Sequence, residues 1–165
     1  MPDFSQPGHA DAEVPENLGR RIAAHRAKIG FTQQDLADRV GISRVAVSHL
    51  ESGLSDPGER TVALLAGVFK MTPHELVVGT GYPSAKAERL PVVVATHTDV
   101  ELQLALLDND LLWLEHAPRD VGRQILDTWL PRLDALRAAG GDRHEHLLLD
   151  EAVQRVRRWR DDLAR

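Results

Sequence analysis

Apolar residues recur every three to four positions through most of this chain, a spacing that places them on one face of an α-helix. Over residues 17–80 the pattern predicts five short helices, the first running from Leu18 to about Lys28. The side chains expected to share a core there are Leu18, Ile22, Ile29, Val47, Leu50, Val62, Leu65 and Phe69. We therefore expect a small helical domain in the first half of the chain.

Capping residues and glycines predict where these helices begin and end. The second helix is expected to begin at Thr32, because Asp35, three residues on, can complete a capping box. It should end at Gly41, where a left-handed conformation costs little. The other expected boundaries are Ser43 to about Gly53, about Glu59 to Phe69, and Thr72 to Gly79 or Gly81.

The second half of the chain, residues 98–165, has the same helical spacing and predicts a bundle of about three helices. These are expected to begin at Thr98, near Pro118 and at Asp142, and Pro131 should kink or split the middle one. The expected inward residues are Val100, Leu104, Leu107, Leu111 and Leu114, then Val121, Ile125, Trp129, Leu133 and Leu136, then Leu149, Val153, Val156 and Leu163.

Two stretches lack helical spacing and divide the chain. Residues 1–16 are rich in Pro, Gly, Asp and Glu, and we expect them to form a disordered acidic arm. Residues 81–97 are predicted to be a linker, partly extended because residues 91–95 are mostly β-branched. The expected fold is all-α, with helical domains at residues 17–80 and 98–165.

Composition and charge narrow the class of protein. The 165 residues include no cysteine, which excludes disulfides and thiolate metal sites. No apolar run approaches the ~20 residues that span a bilayer, and the N-terminus does not resemble a signal peptide. We therefore expect a cytoplasmic protein without a membrane partner. The net charge of −5 divides into −4 for residues 1–16, +2 for residues 17–80 and −3 for residues 81–165.

Residues 31–53 predict two helices joined by a tight turn, an arrangement in which the second helix can enter a DNA major groove. Ala37 is small at the point where the two helices cross, so their backbones can approach closely. The side chains expected to seal this crossing are Leu36, Val40, Val47 and Leu50, and Ile42 is expected to close the turn. The side chains that remain facing outward are Arg44, Val45, Ser48, His49 and Ser52.

The outward side chains have the chemistry of base recognition. The planar fork of Arg44 fits guanine O6 and N7, and Val45 suits a thymine methyl group. Ser48 and His49 can bond to base edges or to phosphate, although a solvated surface role is the alternative for Val45 and His49. The predicted DNA-binding residues are Gln33, Ser43, Arg44, Val45, Ser48, His49, Ser52 and Arg60.

Residues 17–80 resemble the helix-turn-helix domain of the phage-repressor and Cro class, the XRE family. The residues that carry the resemblance are Thr32, Gln33, Asp35, Leu36, Ala37, Gly41, Ile42, Ser43, Val47, Ser48, Leu50, Glu51, Gly53, Pro57, Leu65, Ala66 and Leu76. It implies a five-helix, lambda-repressor-like domain in which Gln33 contacts phosphate and braces the recognition helix. It also implies a structural salt bridge between Arg26 and Glu51. Lys70 departs from the family, because glycine is common at its position.

These observations predict a sequence-specific transcriptional regulator that binds double-stranded DNA, with no enzymatic activity and no cofactor. The resemblance implies a dimer on a palindromic operator, and we expect a homodimeric repressor that pairs through residues 91–165. Two alternatives stay open: an antitoxin-like regulator that binds a protein partner through its helical half, and a small-molecule effector held among the Trp residues.

Other polar clusters in the second half favour structural interpretations. His144 and His146 are two residues apart, on opposite sides of a helix, so no metal site is expected. Asp108-Asn-Asp110 resembles the start of a calcium loop whose remaining ligands are missing. The basic run from Arg155 to Arg160 is expected to be a solvated helix face, with DNA flanks or a protein partner as the alternative.

Overall fold

In the computed structural model of the protein, residues 15–165 are described, so the predicted acidic arm lies outside it as far as residue 14. The described chain is all-α, as predicted, apart from an isolated bridge between Glu16 and Thr80. Glu16 also binds Arg21 through its carboxylate. The helices of this part of the chain are α1 Leu18–Lys28, α2 Gln33–Val40, α3 Arg44–Glu51, α4 Glu59–Val68, α5 Pro73–Val77, α6 Ser84–Ala87, α7 Asp99–Leu114, α8 Arg119–Ala138 and α9 Arg143–Ala164.

Helices α1 to α5 form the N-terminal domain and begin close to the expected positions, and each of them except α4 has a side-chain N-cap. Thr32 and Asp35 form a complete capping box at α2, which ends at Gly41 in the left-handed conformation. The domain has one apolar core, whose buried members are Leu18, Ile22, Phe31, Leu36, Ala37, Val40, Val47, Val62, Leu65, Ala66, Phe69, Leu76, Val77 and Tyr82. Ile29 is partly exposed instead of buried, because it follows the last turn of α1 as its C-cap.

Gly19 marks a close approach between α1 and α3. A Cβ added at Gly19 would lie 2.7 Å from the carbonyl oxygen of Glu51 and still closer to that of Leu50. Any side chain at this position would push the backbone of α3 away. The hydrophobic pattern did not single out this residue, yet it fixes how closely α3 sits against the rest of the domain.

Helices α7 to α9 form a C-terminal bundle with a separate apolar core. Its buried members are Val100, Leu107, Leu111, Leu114, Leu126, Trp129, Leu133, Leu149, Ala152 and Val156. Trp129 also donates its indole N–H to a carboxylate oxygen of Asp110 at 2.8 Å. Val121, predicted to face inward, is 41% exposed because it lies in the first turn of α8.

Of the two effects expected of Pro131, a kink or a split, the split does not occur, since α8 continues through it. A proline removes one backbone hydrogen bond, and the buried side chains of Trp129 and Leu133 on either side of it hold the helix to the core. Packing therefore outweighs the local penalty.

Residues 81–97, the predicted linker, pack along the N-terminal domain. Tyr82 is buried in the core of that domain, α6 follows it, and Val94 is partly buried against the same core. Gly67 allows the segment to pass close to the backbone of α4, because a Cβ at this position would lie 2.5 Å from the carbonyl oxygen of Ala95. Residues 91–97 belong to no helix or strand in the described chain.

Lys70 connects the end of α4 to the start of the bundle. Its backbone adopts a left-handed conformation, with φ of 58°, which agrees with the frequent glycine at this position in the XRE family. Its ammonium group donates to the carbonyl of Thr96 at 2.9 Å and to Glu101 at 3.1 Å. Lysine thus supplies an interdomain contact that glycine cannot.

The two domains also meet directly between α2 and the start of α9. The Arg39 guanidinium pairs with the Asp142 carboxylate, and the two side chains are only 13% and 10% exposed. Arg39 lies over the ring of Phe31, and the ring of His144 packs against that same ring with centroids 5.0 Å apart. Because α2 belongs to the helix-turn-helix unit, the bundle is fastened directly to it.

Substituting Asp142 with asparagine should weaken this junction while leaving α9 capped. Asparagine is an equally good N-cap, but it cannot neutralise the nearly buried Arg39. We expect the free energy of unfolding at pH 7 to fall by about 1–3 kcal/mol, measured by urea denaturation. Asp150→Asn is the matched control, because its ion pair with Arg137 is exposed and should contribute less than about 1 kcal/mol. Equal losses in the two variants would contradict an interdomain role for Asp142.

The same ion pair makes stability depend on pH. Burial acts to raise the pKa of Asp142, but hydrogen bonds from Arg39 and from the α9 backbone outweigh it and leave the pKa below its usual value. A carboxyl group with a lowered pKa stabilises the fold above the ordinary aspartate range, and this contribution is lost as the pH falls through the lowered value. The Asp142→Asn protein should lack that part of the acid dependence.

Candidate nucleic-acid interface

Helix α3 has one face in the core of the N-terminal domain and the other open to solvent. Val47 and Leu50 are buried, and Ala37 of α2 is completely buried beside them. Ser43 caps the helix by accepting the backbone N–H of Ala46 at 3.1 Å. An α-helix with its side chains is about 10–12 Å in diameter, which suits a major groove of about 12 Å width.

A tight turn holds α2 and α3 at a fixed angle. Gly41 has φ of 75°, a conformation that other residues rarely adopt. The backbone N–H groups of Gly41 and Ile42 both donate to the carbonyl of Ala37, at 2.8 and 3.0 Å. Ile42 packs partly buried against the core, so the start of α3 is held by hydrogen bonds and by packing.

Three of the predicted reading residues lie together on the open face of α3. Arg44, Val45 and His49 are exposed, Val45 by 60%. Within residues 15–165, the side chains of Arg44 and His49 make no hydrogen bond or ion pair. Their donors and acceptors are therefore available to a ligand, and the exposed Val45 methyl groups lie between them.

The other predicted DNA-binding residues on and after α3 are placed differently. Ser43 is exposed but uses its hydroxyl oxygen for the helix cap. Ser48 is half-buried. Ser52 donates its hydroxyl hydrogen to the carbonyl of Ser48 at 2.8 Å, so only its acceptor capacity remains. Arg60 is exposed in the first turn of α4.

Glu51 joins three helices through hydrogen bonds, an arrangement that we call the Glu51 clasp. Arg26 of α1 reaches its two carboxylate oxygens at 2.5 and 3.0 Å. Gln33 of α2 donates to the second oxygen at 2.9 Å. Arg26 also donates to the carbonyl of Phe31 at 2.7 Å. Because Glu51 is the last residue of α3, the clasp fixes the far end of that helix.

The Glu51 clasp keeps its carboxylate charged. Burial acts to raise the pKa of Glu51, but the hydrogen bonds from Arg26 and Gln33 outweigh it and leave the pKa below its usual value. The position of Gln33 explains how it braces α3. Its second amide N–H is not used within the described chain, and it remains free to donate to a phosphate oxygen as predicted.

Ion pairing divides the basic side chains of the N-terminal domain into two sets. Arg21, Arg26, Arg39 and Lys70 are each paired with a carboxylate. Within residues 15–165, the basic side chains of this domain that form no ion pair are Arg20, Lys28, Arg44 and Arg60. Sequence reasoning did not single out Arg20, which is exposed in the first turn of α1. These four are the charges available to a phosphate backbone.

The polar clusters of the bundle are engaged in its own structure. Asp108 pairs with Arg155 at 2.7 Å, and Arg160 pairs with Asp127 at 3.4 Å. Across residues 15–165, no group of three or more His, Asp or Glu side chains is placed to hold a metal ion. In the same range, no helix has the length and apolar character needed to cross a membrane.

Comparison with known proteins identifies the same part of the chain. Residues 22–76 match a protein-family model described as helix-turn-helix. Two proteins of Archaeoglobus fulgidus, each named an uncharacterized HTH-type transcriptional regulator, are 38% and 34% identical to this chain over 58 residues. The matched regions make up 35% of this chain and 83% and 82% of the two relatives.

Proposed function

This chain belongs to the helix-turn-helix family of transcriptional regulators, of the XRE type, and we propose that it is a cytoplasmic homodimeric repressor of a palindromic operator. Each copy places residues 43–52 in a major groove, and the two copies read half-sites one helical turn apart. Repression follows because a protein bound across a promoter blocks access to it.

The open face of α3 is the observation that carries this proposal. Arg44 lies in the first turn, where recognition helices of this type contact base edges, and its guanidinium has no partner in the described chain. The Gly41 turn and the Glu51 clasp hold both ends of α3. A rigid helix with free donors at its leading end supports direct readout of bases.

The second copy is proposed because a single α3 contacts few base pairs. Specific complexes bury about 1,000–2,500 Å² of protein surface, and single modules bury less. The C-terminal bundle contacts the N-terminal domain through α2 and through the segment after α6, and these contacts leave the outer face of α3 exposed. The bundle is thus available to join two copies without covering the reading surface.

Selection of bound fragments from a pool of random duplexes tests the proposal. We expect an enriched inverted repeat whose half-site centres are about 10 base pairs apart. Affinity for the selected duplex should fall as salt rises, because basic side chains displace counterions from phosphate. A protein that enriches no sequence would overturn the proposed function.

The Arg44→Ala substitution should reduce discrimination among bases. If Arg44 binds a guanine edge, its removal should weaken binding to the selected duplex by about 1–3 kcal/mol and relax the preference at one position of each half-site. Fluorescence anisotropy with single-base variants of the duplex measures both effects. Full sequence discrimination in the variant would contradict the assignment.

The Gln33→Ala substitution should affect DNA binding in a different way from Arg44→Ala. Since we propose that Gln33 contacts phosphate, its loss should weaken selected and unrelated duplexes by the same factor. A loss confined to the selected sequence would assign base readout to Gln33. Thermal unfolding should be measured in parallel, because this variant also removes a hydrogen bond from the Glu51 clasp.

A further inference from the structure

Helix α7 has a second apolar face, opposite the one that packs in the bundle. We call it the α7 seam, and it consists of Leu102, Ala105, Leu106, Asn109, Leu112 and Trp113 of α7 together with His116 in the turn that follows the helix. All seven are exposed, and Leu112 and Trp113 are exposed by 65% and 67%. A monomer rarely leaves so many large apolar side chains together in water without a use for them.

The spacing along the α7 seam is that of a helix-pairing surface. Within the helix, Leu102, Leu106, Asn109 and Trp113 follow one another at intervals of four, three and four residues. Alternation of three and four residues is the pattern of seams at which two helices pack side by side. The buried stripe of the same helix is already used in the bundle core, so the seam is free for a second helix.

The seam also lacks formal charge. None of its seven residues is Asp, Glu, Lys or Arg, although α7 carries several acids. Three of those acids have partners within the protein: Glu101 binds Lys70, Asp108 binds Arg155, and Asp110 accepts from Trp129. Burying the seam against another surface therefore does not involve the cost of desolvating an unpaired charge.

The seam is symmetric about its midpoint. Within the helix, Asn109 lies three residues from both Leu106 and Leu112 and four residues from both Ala105 and Trp113. Consider an antiparallel pair of α7 helices with a two-fold axis beside Asn109. The part of the seam around Leu106 in each copy would then face the part around Trp113 in the other copy. The two Asn109 amides would meet at the axis, where each can donate to and accept from the other. Such a self-complementary patch is what a two-fold contact needs.

We propose that the α7 seam joins two copies of this chain, antiparallel about an axis at Asn109. Specific interfaces bury about 1,200–2,000 Å² in total, and each copy would contribute four large apolar side chains that are at least half exposed in the single chain, Leu102, Leu106, Leu112 and Trp113. This inference rests on the proposed function, which requires two DNA-reading modules, and it identifies the surface that joins them.

Single cysteines test the axis, because the natural chain contains none. Asn109→Cys should form a disulfide-linked dimer under mild oxidation, since the two thiols would face each other within disulfide reach. Gln154→Cys, at an exposed position of α9, is the matched control and should cross-link far more slowly. Equal cross-linking of the two variants, or none at Asn109→Cys, would overturn the proposed axis.

Lysine substitutions test the seam itself. Leu106 and Leu147 are almost equally exposed, at 50% and 53%, but only Leu106 lies on the α7 seam. Sedimentation equilibrium of the full chain should show that Leu106→Lys raises the dimer dissociation constant at least about tenfold, whereas Leu147→Lys leaves it near the wild-type value. Circular dichroism should report unchanged helix content in both. A wild-type protein that is monomeric at every concentration would overturn the seam.

The outcomes separate this inference from the proposed function. A wild-type protein that dimerises in solution but is insensitive to Leu106→Lys would overturn the seam and leave a dimeric regulator standing. A protein that cross-links through Asn109→Cys but prefers no duplex would support the seam and overturn the proposed function.

Discussion

Replacing Arg26 with alanine should lower the free energy of unfolding by about 3–5 kcal/mol, the range for breaking a buried ion pair by removing one partner. The side chain of Glu51 is 8% exposed, so its charge would remain in a poorly solvated site with only Gln33 as a donor. The carbonyl of Phe31 would also lose its guanidinium donor. Chemical denaturation at pH 7 measures the loss.

The pH dependence of this loss has a definite sign. In the wild-type protein the pKa of Glu51 is lowered, so its contribution is present above the ordinary glutamate range and disappears as the pH falls. Without Arg26, burial is left to raise the pKa of Glu51, and acidification then favours the folded state by protonating the buried carboxyl. The difference in the free energy of unfolding between the wild-type protein and the Arg26→Ala variant should therefore decrease as the pH is lowered from 7 to 4.

Two further variants distinguish the ion pair from a general effect of losing an arginine. Arg60→Ala removes an exposed side chain and should change stability by less than about 0.5 kcal/mol. Glu51→Ala in the Arg26→Ala background removes the unpaired buried carboxylate and should restore part of the lost stability. If the double variant is less stable than Arg26→Ala by the full cost of Glu51→Ala alone, the two residues are not coupled.

Replacing Trp129 with alanine should destabilise the C-terminal bundle by about 3–5 kcal/mol, the usual cost of removing a buried tryptophan. The side chain is 2% exposed and fills the space between the three bundle helices. Its loss would leave a cavity and remove the hydrogen bond to Asp110. Hydrogen exchange should accelerate throughout α7, α8 and α9, and less in α2 and α3, because the two domains have separate cores.

Trp113→Ala is the control, since it removes the same side chain from a position that is 67% exposed. At protein concentrations where the chain is monomeric, its unfolding free energy should change by less than about 1 kcal/mol. At higher concentrations it should lose the stabilisation that dimerisation provides, because Trp113 lies on the proposed α7 seam. Equal destabilisation by both substitutions in the monomer would contradict the assignment of Trp129 to the core.

The sequence by itself determined the local elements of this protein. The capping boxes at Thr32, Thr72, Thr98 and Asp142 all form, because each depends on residues three positions apart. The exposure of Arg44, Val45 and His49 on α3 follows in the same way from helical periodicity once its apolar side is known. The resemblance to the XRE family added the pairing of Arg26 with Glu51, which spacing alone does not predict.

Only the tertiary structure decided how these elements meet. The contact between Arg39 and Asp142 joins residues 103 positions apart, and the close approach at Gly19 depends on the crossing of α1 and α3. Pro131 shows the same limit, since its local penalty is overcome by the burial of its neighbours. Periodicity tells which face of a helix is apolar, but the partner of that face depends on how the whole chain packs.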